Sequence, residues 1–108
     1  MENECVVVLT TIGSGTDGHH LAATLVNERL AACVNVFAEM ESIYRWKGQV
    51  ETDRERQLIM KTTAARVPAL KARLDELHDY EVPEFIVLRI AGGSDAYLGW
   101  IRESAAAG

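Results

Sequence analysis

The chain has 108 residues, of which 48% are hydrophobic and 25% charged, with only two prolines; that is the length of one domain around one core, and the apolar fraction excludes a disordered segment. A formal charge of −5 excludes a mainly phosphate-binding role, because neutralising a nucleic-acid backbone takes clustered Lys and Arg. The acidic start, Met1-Glu2-Asn3-Glu4, runs into an apolar stretch too short for a signal peptide or a membrane span. The expectation is a single domain over residues 1–108, in the cytoplasm, with no membrane insertion and no nucleic-acid partner.

Cys5 to Thr11 is β-branched and continuous, which predicts a strand covered on both faces. Gly13, Ser14, Gly15 and Gly18 break it. Leu21, Ala22, Leu25, Val26 and Leu30 then recur at helical spacing, predicting a helix from an Asp17 cap to about Ala32. Val34, Val36 and Phe37 followed by Ile43, Tyr44 and Trp46 read as one long or bulged strand, reversed at Lys47-Gly48. The returning strand, Gln49 to about Thr62, has a charged first half and an apolar second half, so its tip projects from the body. Val67, Leu70, Leu74 and Leu77 predict a second helix over Ala64 to Leu77, with Pro68 in its first turn. Phe85 to Ile90 is a fourth strand, and Ser94 caps a short third helix carrying Tyr97, Leu98, Trp100 and Ile101.

The order β-α-β-β-α-β is the split βαβ arrangement: an α+β, ferredoxin-like antiparallel sheet with two helices on one face and a short C-terminal helix. The other face of strands that are apolar on both sides needs a cover, and a second copy is the simplest one. Cys5 and Cys33 lie in apolar runs and read as reduced, buried thiols.

Nucleophile elbows, Walker loops, H-E-x-x-H and C-x-x-C are all absent from the sequence, so no enzyme is expected. Gly13 to Gly18 resembles a phosphate loop only superficially, because it has no lysine. His19-His20 read as a solvated pair. His78 stands with Asp79, Tyr80, Glu81 and Glu84 where the second helix ends. Imidazole with carboxylates suits Cu(II) or Zn(II), so His78 and Glu84 are the candidate metal ligands, against the alternative of a histidine interacting with the helix C-terminus.

Leu30-Ala31-Ala32-Cys33-Val34-Asn35-Val36, Ser42-Ile43-Tyr44 with Trp46 and Gly48, Lys61-Thr62, and His78 with Tyr80-Glu81-Val82-Pro83-Glu84 together resemble the CutA family, in the right order from Val6 to Trp100. The resemblance implies a tight homotrimer, akin in architecture to PII signalling proteins, with a role in divalent-cation tolerance and copper or other divalent-metal binding, no metal being required for folding. It also implies that Cys33, Tyr44, Trp46, Lys61, Tyr80 and Trp100 lie at or near the clefts between subunits. The alternative is a PII-like trimer that senses a small ligand. Thr10 departs from the pattern: some members carry there a cysteine proposed as a copper ligand, and soft Cu(I) ligation would lose its sulfur.

Overall fold

The computed structural model describes residues 4–107. Met1 to Asn3, most of the acidic start read above, and Gly108 lie outside them. The elements are β1 (Cys5–Gly13), α1 (Gly18–Asn27), β2 (Cys33–Val36), β3 (Met40–Trp46), β4 (Gln49–Thr63), a single 3-10 turn (Ala64–Arg66), α2 (Val67–Leu77), β5 (Ile86–Arg89) and α3 (Asp95–Ser104). All strand pairs are antiparallel, in the order β2-β4-β1-β5, with β3 also paired to β4.

Helix α1 starts where expected: Asp17 accepts the His20 backbone N–H at 2.9 Å. It ends about a turn early. Arg29 takes φ 60°, and the Arg29 and Leu30 N–H groups donate to the Val26 and Leu25 carbonyls, which is a Schellman stop. Such stops normally fall on glycine, and an arginine there gave no stop signal in the sequence. Buried Leu30 folds back beside Leu25, and this apolar contact offsets the backbone strain.

The predicted long strand is divided into β2 and β3. Val36 pairs with Leu58 and Met40 with Glu55, so three residues face two and one is extra, as in a β-bulge. Lys47 and Gly48 both have positive φ, 50° and 79°, giving a two-residue hairpin turn whose twist matches its strands.

Alternation assigns the two faces of the sheet. Val6, Val8 and Ile12 of β1 and Leu58 and Met60 of β4 pack with Leu21 and Leu25 of α1 and Leu70 and Leu74 of α2. The opposite face carries Cys5, which is buried with Ala32 and Ile101 under α3. Helix α3 covers only that end. Further along, β5 is bare on both sides: Ile86, Val87 and Leu88 are 44%, 41% and 48% exposed.

Thr10 lies in the helix-covered core, 1% exposed, and its hydroxyl has no hydrogen-bond partner among the described residues. An orphaned buried hydroxyl carries its full desolvation cost. Thr10→Val should therefore raise the unfolding free energy by about 1 kcal/mol, read from denaturant midpoints. A lower midpoint would mean that the hydroxyl has a partner in solution.

Candidate functional site

The β1–β4 register places Gly13 opposite Glu55 and Thr11 opposite Gln57. Glu55 therefore projects from the face away from the helices, level with a residue that has no side chain. The vacant space is taken by Tyr80, whose hydroxyl lies 3.3 Å from where a Gly13 Cβ would stand. That hydroxyl donates to Glu55 Oε2 at 2.7 Å. Glu55 is 8% exposed, although the charged run around it read as a solvated hairpin. The glycine opposite it was the one signal in the sequence that could have marked it.

His78 holds the same segment from within. Its ring is 2% exposed, its Nε2–H donates to the Thr11 carbonyl at 2.6 Å, and its Nδ1 accepts the Tyr80 backbone N–H at 3.2 Å. This assigns the neutral Nε2–H tautomer. Glu84 lies elsewhere, accepting the Gln57 amide at 2.9 Å. The expected pairing of His78 with Glu84 as metal ligands is thus not formed within the subunit: both ring nitrogens are occupied by backbone groups, and the two residues line different depressions. Among the described residues no three His, Cys, Asp or Glu side chains gather closely enough to hold a metal ion.

The result is a groove of about 720 Å³ on the open face of the sheet. Its floor is β3 and β4, with Tyr44 donating its hydroxyl to Asp53, and its wall is the segment from Asp79 to Glu84. Trp46 stands at its outer end, with the Lys47 ammonium 5.7 Å from the indole centroid. Tyr44, Trp46 and Tyr80, expected at clefts between subunits, line this one groove of the single subunit. Cys33, Lys61 and Trp100 do not: Cys33 pairs with Lys61 in the β2–β4 register, Lys61 lies 5.8 Å from the Tyr97 ring, and Tyr97 stacks on Trp100. These three form a second cluster beside α3.

The two hydroxyl–carboxylate bonds shift both tyrosines. The Tyr44 phenol is pushed up to about 12, chiefly by its hydrogen bond to Asp53. Tyr80 is raised by burial first and by the Glu55 bond second.

The family model for the CutA1 divalent ion tolerance protein matches residues 6–104. The divalent-cation tolerance protein CutA of Thermus thermophilus is 49% identical over 91% of this chain and 95% of its own. The chloroplastic protein CutA of Arabidopsis thaliana is 43% identical over 92% of this chain and 54% of its own length. The solved Thermus thermophilus structure superposes with a TM-score of 0.89 at 48% identity, over 93% of this chain and 97% of that one. The chain belongs to the CutA1 divalent-ion-tolerance family.

The tyrosine shifts give a test. A phenol raised in the folded state leaves stability intact below the unfolded value of about 10 and removes it as pH rises through the folded value. Unfolding free energy should therefore fall above pH ~10, and Tyr80→Phe should flatten that fall while lowering stability at pH 7 by about 1 kcal/mol. An unchanged alkaline slope in the variant would separate Tyr80 from Glu55.

Proposed function

We propose that this chain acts in divalent-cation tolerance as a ferredoxin-like subunit of a homotrimer in the cytoplasm, with no catalysis of its own. The observation that carries the assembly is β5. It is an edge strand with an unpaired side, and its three apolar residues are exposed on both faces, a template that proteins leave open only for a partner strand. The complementary edge is the β3–β4 hairpin, which extends past the end of β1. Pairing the β5 edge of one subunit with the hairpin of the next is a head-to-tail contact, which closes into a three-membered ring when successive copies are turned by a third of a revolution.

The metal follows from the same assembly. The described residues of one subunit hold no convergent ligand set, so Cu(II) or another divalent ion would draw its ligands from more than one subunit, at clefts bordered by carboxylates such as Glu84. The role of His78 on this reading is to fix the Tyr80 segment. A PII-like sensor of small ligands is supported by the groove's size, which is in the range of ligand sites, but carboxylates around it would repel a nucleotide's phosphates.

Light scattering should return three subunit masses at micromolar concentration, and Leu88→Asp should lower this towards one. A single-subunit mass for the unaltered chain would overturn the trimer. Calorimetric titration with Cu(II) should show binding that is lost with the Leu88→Asp assembly defect and changes less than about threefold in His78→Ala, a difference under 1 kcal/mol. A large loss in His78→Ala with the trimer intact would restore the histidine as a ligand.

A further inference from the structure

The groove's negative charge is not neutralised by its own contacts. Among the described residues, its lining holds five carboxylates, Asp53, Glu55, Asp79, Glu81 and Glu84, and no lysine or arginine. Three of them take hydrogen bonds only from neutral donors: Asp53 from the Tyr44 hydroxyl, Glu55 from the Tyr80 hydroxyl and Glu84 from the Gln57 amide. These bonds orient the carboxylates and leave the charge in place.

Glu55 is the sharpest case. It is more than nine-tenths buried, and its Oε2 is engaged by Tyr80; among the described residues its Oε1 takes no hydrogen bond, and it is not among the sealed, orphaned atoms, of which Thr10 supplies the one found there. A buried carboxylate with an open oxygen on a groove calls for a charged donor.

A bare metal ion is a poor match for that demand. It needs several ligands within about 2.0–2.6 Å of one point, and here Asp53, Glu55 and Glu84 are each turned towards a separate partner. An organic ammonium ion has weaker geometric requirements. It spreads its charge, donates N–H bonds to a carboxylate, and is attracted to aromatic faces within about 6 Å. Tyr44, Trp46 and Tyr80 line the same space. The Lys47 ammonium already stands 5.7 Å from the Trp46 ring, so a cation at that ring is sterically allowed. Val82 and Pro83 offer apolar wall for a methylene stem.

We propose that this groove binds a small organic ammonium ion, a protonated alkylamine or diamine, with the ammonium on Glu55 and the stem between the aromatic floor and the Val82–Pro83 wall. The site lies among residues of one chain and shares Glu84 with the clefts proposed for the metal, but its anchor, Glu55, is not one of the proposed metal ligands. Lys47, tethered at the open end, is a built-in competitor.

Isothermal titration of the intact protein with cadaverine hydrochloride at fixed ionic strength tests it. Saturable binding is expected, weakened at least tenfold by Glu55→Gln and severalfold by Tyr44→Leu, and strengthened about threefold by Lys47→Gln. Tetramethylammonium, which has no N–H, should bind more weakly than cadaverine. Glu28→Gln, on the helix-covered side and paired with Arg73, should change nothing. Circular dichroism checks that each variant folds, and Tyr44→Leu with Lys47→Gln decides the matter if Glu55→Gln does not. No saturable heat up to about 10 mM, equal displacement by magnesium chloride at the same ionic strength, or equal losses from the groove variants and Glu28→Gln would overturn the site.

Discussion

Every other part of this fold takes its position from β4. It runs for 15 residues, pairs with β1 along one edge and with β2 and β3 along the other, and spans both the core and the projecting hairpin. Because side chains alternate, one residue of slip would send Leu58 and Met60 to the open face and Glu55 into the helix layer. The apolar half of the strand therefore fixes the register, and the register delivers the polar half. That is how a core made of ordinary aliphatic residues sets Glu55 against Gly13 and leaves room for Tyr80.

What could be read from the sequence follows the same division. Element order and type, the Asp17 and Ser94 caps, the Lys47-Gly48 turn and the bulged β2–β3 strand were all legible, since each rests on local periodicity or on a residue with special backbone behaviour. The end of α1 was not, because Arg29 adopts a glycine-like conformation for the sake of the Leu25–Leu30 contact. Nor was the state of His78. A histidine followed by acidic residues looks the same whether its ring faces outwards or inwards, and only the β1 edge, with the Thr11 carbonyl 67 residues away, decides between them. Glu55 was hidden for a similar reason: its four charged neighbours, Glu51, Asp53, Arg54 and Arg56, outweigh one buried carboxylate in any local reading.

The metal-ligand expectation and the observed groove differ in convergence rather than in composition. The right kinds of residue are present near the end of α2, but each is committed to a separate partner. His78 is held by backbone atoms, and Asp53, Glu55 and Glu84 are held one apiece by a tyrosine or an amide. A metal cage needs its ligands free to turn towards one point, whereas this arrangement fixes them facing one volume. Donor inventory alone therefore does not distinguish a metal site from an anionic groove; the hydrogen bonds that orient each donor do.

The hairpin brings stability and assembly together. From Met40 to Arg54 its residues are mostly exposed, including Ile43 at 66% and Val50 at 64%, and no helix lies beneath them. A two-stranded ribbon is marginal by itself in water. Here it is an extension of β4, so the lower half of that strand supplies register and the Tyr44–Asp53 and Arg54–Glu39 contacts add only surface-strength ties. Those ties are too weak to account for keeping Ile43 and Val50 in water. The apolar side chains on the ribbon and the bare β5 strand are thus two parts of one unmet demand for burial, set at opposite margins of the sheet. A contact that joins them between copies meets both demands at once, and a contact that buries either one alone leaves the other exposed.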